Sequence, residues 1–120
     1  MERVIVTGGR SYNKAEWVYA ALDELIDKEN DIVIHGDAAT GVDAYTNNWC
    51  LKNNVMQERV PPAYNQYGSR AGRRKNQIMV AMGARLCIAF PILGVGDTWD
   101  CMRQAKEAGI MVINLGEKHK

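Results

Sequence analysis

A single α/β domain built on a parallel sheet is the fold class this sequence predicts, and three observations predict it. Five short runs of β-branched residues alternate with four longer stretches of helical period. The runs are continuously apolar rather than alternating, as expected of strands covered on both faces. At 120 residues the chain can bury one core but is too short for two.

RVIVT at 3–7 opens the chain as a compact apolar strand, closed by Gly8 and Gly9. A first helix follows over 14–28, with Trp17, Ala21, Leu22, Leu25 and Ile26 on one face. Glu16, Asp23, Glu24 and Asp27 fall mostly off that face; Asn13 is placed to cap the helix, with Glu16 completing an approximate capping box. DIVIH at 31–35 is the second strand and stops at Gly36. The second helix runs over 41–52 with Val42, Tyr45, Trp49 and Leu51 inward, and Asn53-Asn54 breaks it. A third strand at 55–60 ends on Pro61-Pro62, and a polar loop rich in Tyr, Asn and Gly leads to a third helix over 71–82. The fourth strand, 85–90, is closed by Pro91 and followed by a glycine-bearing loop at 92–96. A fourth helix over 98–108 and a last strand at 110–113 complete the pattern, with 116–120 expected to fray. Right-handed crossovers make this a doubly wound, Rossmann-like sheet of about five strands with helices on both faces. There is no internal repeat or linker, so residues 1–120 are expected to form one domain.

Composition excludes several classes. Hydrophobic residues at 47% and charged residues at 24% are a globular balance, not a disordered one. Fifteen Lys and Arg against 14 Asp and Glu leave +1, so no overall charge excess points to a protein that coats nucleic acid. No apolar run approaches the roughly 20 residues of a membrane span, and the first residues lack the pattern of a secretory leader. Cys50, Cys87 and Cys101 are odd in number and widely spaced, offering neither a disulfide framework nor a metal-binding pair. These features predict a cytoplasmic protein with no membrane partner.

In open parallel sheets, ligands bind beyond the carboxyl ends of the strands, where the strand order reverses. Three glycine-bearing loops fall there: TGGRS at 7–11, HGDAATGVD at 35–43 and FPILGVGDT at 90–98. Each enters a helix N-terminus, whose free N–H groups and dipole favour an anion. Taken singly, such glycines also suit the geometry of a tight turn; three on one edge point to a phosphate-bearing ligand. The candidate binding residues are Gly8, Gly9, Arg10, Gly36, Asp37, Gly41, Asp43, Gly94, Gly96 and Thr98. The stretch YGSRAGRRKN at 67–76 adds four cations within 70–75, at a helix start where the dipole disfavours them. Arg70, Arg74 and Lys75 are therefore candidates for phosphate, and Asn76 for a ribose or base. Trp99, directly after the third loop, is a candidate for stacking on a base. Neither the Walker A pattern nor GxGxxG is present, which excludes a P-loop NTPase and an ordinary NAD dehydrogenase.

Other reactive residues have plainer readings. His35 lies near Asp37 and Asp43, but the other histidine, His119, is in the tail, so no metal site and no cofactor are expected. Cys50 and Cys101 fall in helices and Cys87 in mid-strand, positions of packing rather than of a thiolate nucleophile. Neither Ser11 nor Ser69 sits in the GxSxG pattern of a nucleophile elbow.

TGGR, HGDAATGVD, RAGRRKNQIM and FPILGVGDTWDCMRQAKEAGI, taken in order, resemble the YspA-like branch of the SLOG superfamily over nearly the whole chain. That superfamily also holds DNA-processing protein A and the lonely-guy phosphoribohydrolases. The resemblance implies a Rossmann-like fold that binds nucleotides or their derivatives. It keeps Gly36, Gly41 and Asp43 of the second-loop pattern, while Asp37 and Thr40 stand where the pattern has glycine and arginine. Lys75-Asn76 replaces the usual Arg-Asn pair. In the phosphoribohydrolases a glutamate shortly after the third loop is catalytic; the nearest carboxylate here is Asp100, with Asp97 second. The resemblance thus implies a nucleotide sensor or carrier, or a nucleotide N-glycoside hydrolase. The alternative is a single-stranded nucleic-acid binder or adaptor. It also implies a homo-oligomer, for which Tyr45, Trp49, Ile78, Met79 and Met82 are the candidate surface.

Overall fold

A computed structural model describes residues 1–94 and 96–116. Strands β1 (Glu2–Gly8), β2 (Asp31–His35), β3 (Met56–Arg59), β4 (Leu86–Phe90) and β5 (Met111–Asn114) alternate with helices. The helices are α1 (Ala15–Leu25), α2 (Val42–Asn53), the single turn α3 (Tyr64–Tyr67), α4 (Ala71–Ala81) and α5 (Thr98–Glu107). A 3₁₀ turn, Gly68–Arg70, joins α3 to α4. All five strands are parallel, in the order β3-β2-β1-β4-β5. The α/β class expected from the sequence is the class observed.

Strand alternation distributes the core. Val4 and Val6 of β1 pack with Val18, Leu22, Val42 and Trp49 beneath α1 and α2. Ile5, between them, turns to the other face and joins Ile34, Met79, Cys87, Cys101 and Ala105 beneath α4 and α5. Full burial of each such side chain contributes about 1.5–3 kcal/mol, and β1, paired on both edges, anchors both layers. Because the chain winds from β1 out to β3 and then returns to β4, the order reverses between β1 and β4. The loops after those two strands diverge there and open a crevice.

Several local expectations are corrected. The residue before α1 is Lys14, with no side-chain cap, so Asn13 is not the cap. Trp17 is 53% exposed while Val18 takes the inward position, a shift of one residue in the helical phase. The proposed oligomer surface does not exist as one patch: Trp49 is buried in one core layer and Met79 in the opposite one. Among the described residues no helix is long and apolar enough to cross a membrane. Most of the tail at 116–120, including His119, lies outside the described residues.

Candidate functional site

The carboxyl edge carries a cleft of about 630 Å³, within the range of small-molecule sites. The loop after β1 supplies Gly8, Gly9, Arg10 and Ser11, and the loop after β2 supplies Ala38, Thr40 and Asp43. Tyr64, Ser69, Gly72 and Lys75 come from the segment after β3, and Gly96, Asp97 and Thr98 from the loop after β4. An adjoining recess of about 300 Å³ shares Arg10, Thr40, Tyr64 and Lys75 and adds Gly36 and Asp37.

The first two loops are fastened to each other. The Thr40 hydroxyl donates to the Arg10 carbonyl at 2.9 Å, and the Val42 N–H donates to the Gly9 carbonyl at 3.3 Å. Gly41 makes this possible: its φ is +72°, and a Cβ there would overlap the Gly9 and Arg10 carbonyl groups. Gly41 lines neither hollow, so its part is to bring the two loops together.

Two cations reach the cleft from separate elements. The Arg10 guanidinium donates to the Tyr64 hydroxyl at 2.7 Å. That hydrogen bond, with further attraction from Tyr64, Asp97 and Asp43, raises its pKa above the ordinary arginine value. Lys75 is half-buried and borders both hollows. Neither cation has a carboxylate within 4 Å among the described residues. Asp43 and Asp97 line the same cleft, so it combines two cations with two carboxylates. Asp43 accepts the Ala38 N–H at 3.1 Å. Gly72, in the first turn of α4, leaves room for the Asp97 carboxylate where a Cβ would overlap it.

Other expected site residues lie elsewhere. Asp100 does not line the cleft; its carboxylate receives Asn76, Arg103 and Gln104 at 3.1, 2.6 and 2.7 Å. Burial works against its charge, but these donors outweigh burial and hold the carboxyl below the usual range. A carboxylate so stabilised is a poor proton acceptor. Asn76 is buried and spends its amide on Asp100 and on the Asp97 carbonyl, tying α4 to the third loop rather than facing a ribose or base. Arg70 and Arg74 line a separate groove. Trp99 donates to the Ile92 carbonyl at 3.1 Å and faces the α5–β5 side, away from the cleft. Gly94 borders neither hollow.

The remaining reactive groups are committed internally. His35 is fully buried: Nδ1 accepts the Asp37 N–H at 3.1 Å, which leaves Nε2 to donate to Gln57 at 2.7 Å. Burial raises the Cys50 thiol to about 12. Buried Cys87 and Cys101 hydrogen-bond each other, which raises the first and lowers the second. Tyr64, Ser69 and Gly72 escaped the sequence reading. Tyr64 lies in a stretch without periodicity, and only its contact with Arg10, 54 residues distant, marks it.

The model of the YspA, cpYpsA-related SLOG family matches residues 2–67, and Gene 61 protein of Mycobacterium phage D29 is 36% identical over 124 residues. That alignment covers 98% of this chain and 99% of the phage protein. The chain belongs to the YspA, cpYpsA-related SLOG family. Its fold is also that of the molybdenum cofactor binding protein from the phototrophic bacterium Rippkaea orientalis, with a TM-score of 0.78 at 21% identity. The superposition covers 98% of this SLOG chain and 77% of the other. This likeness overturns the expectation of no cofactor: the fold serves a cofactor-binding protein, so a missing metal-ligand motif does not argue against one.

Proposed function

We propose that this SLOG protein binds a nucleotide or nucleotide derivative in the cleft, with its phosphate held by Arg10 and Lys75. The observation that carries the reading is that pair of cations, reaching one cleft from two elements with no carboxylate within 4 Å among the described residues. Lys75 is half-buried and meets no carboxylate within 4 Å among the described residues, a costly state that an anionic ligand would relieve. Asp43 and Asp97 ask in addition for hydrogen-bond donors, which ribose hydroxyls or a base amino group supply.

The same residues fit the phosphorylated organic part of a cofactor. Arg10 and Lys75 would hold its phosphate, and the Asp97 carboxylate, seated against Gly72, would accept hydrogen bonds from its polar groups. Among the described residues no three His, Cys, Asp or Glu side chains gather as a metal-ligand set, so no bond to a metal is assigned to this chain.

Thermal unfolding with nucleoside mono-, di- and triphosphates, ADP-ribose, cyclic dinucleotides and phosphorylated pterins tests the reading. A ligand at 100 times its Kd stabilises by about 2.7 kcal/mol. The shift is expected to disappear in Arg10→Ala/Lys75→Ala, and no shift with any phosphate compound at millimolar concentration overturns the proposal. A second reading, N-glycosidic hydrolysis, is favoured by the two carboxylates in the cleft. Asp97, rather than the committed Asp100, would stabilise an oxocarbenium-like sugar or activate water. Free-base release lost in Asp97→Asn while the thermal shift persists supports it; ligand binding without base release refutes it and leaves a sensor or carrier.

A further inference from the structure

A second hollow of about 580 Å³ runs between the start of α4 and α5 and shares no residue with the cleft. Arg70, Arg73 and Arg74 line it from one side and Arg103 from the other, with Glu107 its one carboxylate. A chain of net charge +1 thus gathers four guanidinium groups in one groove. Arg103 is bound to Asp100 at 2.6 Å and Glu107 at 2.9 Å, and Arg73 approaches Asp100 at 3.9 Å. Arg70 and Arg74 have no carboxylate within 4 Å among the described residues. Three of these cations sit at the N-terminal end of α4, where the helix dipole opposes them and no acidic residue occupies the first turn.

Shape and aromatic content narrow the partner. Arg73 and Arg103 share the Asp100 carboxylate, while Arg70 and Arg74, without a carboxylate within 4 Å among the described residues, stand about one turn apart at the start of α4 and offer two points for successive phosphates. Tyr67 lies in the same groove, and the Arg74 guanidinium sits 5.8 Å from its ring centroid. That pairing offers a flat surface for a base, which an acidic peptide would not use. Gln77 and Gln104 add side-chain amides along the groove. We propose that the groove binds the backbone of single-stranded nucleic acid, with a base stacked at Tyr67. This does not depend on what the cleft holds.

The test is fluorescence anisotropy of the full chain with labelled 20-mers of dT and U, at 50 and 200 mM salt. Arg70→Glu/Arg74→Glu is expected to weaken binding at least tenfold and to lower the log–log salt slope by about 1.4, two phosphate contacts on a single strand. Tyr67→Ala is expected to weaken it at least fivefold, with Tyr67→Phe close to wild type. Arg10→Ala/Lys75→Ala is expected to bind the strand as the wild type does, and unchanged circular dichroism shows that each variant is folded. Absence of binding at 50 mM salt, or binding that survives the charge reversal in a folded variant, overturns the proposal. So does equal competition by polyglutamate, which would mark an acidic-protein surface, or by inorganic triphosphate, which would mark a small-anion site.

Discussion

Asp31 and Arg85 stand at the amino ends of β2 and β4, and Arg10 and Lys75 at the carboxyl edge of the same sheet. The fold treats the two sets of charges in opposite ways. Asp31, 3% exposed, takes both Nε and a terminal nitrogen of Arg85, at 3.2 and 2.6 Å, and also accepts the Asp27 N–H at 2.8 Å. Arg85 goes on to the Leu25 carbonyl at the end of α1, where a cation suits the dipole. Both of these charges are answered within the chain. At the carboxyl edge Arg10 meets only a tyrosine hydroxyl, and Lys75 meets no hydrogen-bond acceptor among the described residues. One end of the sheet spends its charges on holding together, and the other leaves its two cations without a carboxylate within 4 Å among the described residues.

The contrast can be broken most severely through the backbone. Gly41→Ala is expected to cost at least about 3 kcal/mol, since it adds a Cβ at a positive φ and pushes the two loops apart. Urea unfolding measures it. At the amino end, Arg85→Ala leaves a buried carboxylate without its partner and is expected to cost about 2–3 kcal/mol, with ligand affinity unchanged. At the carboxyl edge, Arg10→Ala and Lys75→Ala reverse that outcome. Each is expected to lose about 1.5–3 kcal/mol of ligand affinity, tenfold or more, by titration calorimetry. Stability there should stay within about 0.5 kcal/mol of wild type. If Lys75→Ala unfolds the protein as Arg85→Ala does, the distinction between the two edges fails.

The smallest effect is the response to acid. For Asp31, burial opposes the charge, but hydrogen bonds from Arg85 and the Asp27 N–H outweigh it and lower the pKa below the ordinary 3.8. The stabilisation is therefore complete above the unfolded value and is lost as pH falls through the lower native one. Urea midpoints should hold steady above about pH 4 and decline below it. In Arg85→Ala that decline should be shallower, whereas Lys75→Ala should follow the wild-type curve.

The strands and the cleft were legible to different depths. Apolar runs such as RVIVT and LCIAF named their strands because tertiary packing and β propensity agree there. The third strand was placed within a residue at each end despite Gln57 and Glu58, since Pro61-Pro62 and Asn53-Asn54 bound it. The short helical turns at Tyr64–Tyr67 and Gly68–Arg70 stand where the sequence predicts a loop, being too brief for a period to register. Glycine loops announced the edge that holds the cleft, but not which neighbouring side chains enter it. Arg70 and Lys75 are five residues apart on and before one helix, so they leave it in different directions, one to each hollow. The sequence ranks Asp100 before Asp97; the amides of Asn76 and Gln104 and the guanidinium of Arg103 bind the first, while the second lines the cleft.

The position of β1 has a consequence for how the chain comes into being. Its partner on one side, β2, follows within a few turns of chain, so Glu2 can find Asp31 early in synthesis. Its partner on the other side is β4, and Val4 waits for Leu86, across four intervening helices and two strands. Through most of elongation the central strand therefore presents an unpaired edge, the kind of surface on which nascent chains join one another. A ribosome-bound fragment that stops before Leu86 should be the form most prone to aggregate, and one that extends past Phe90 should be the first to resist it.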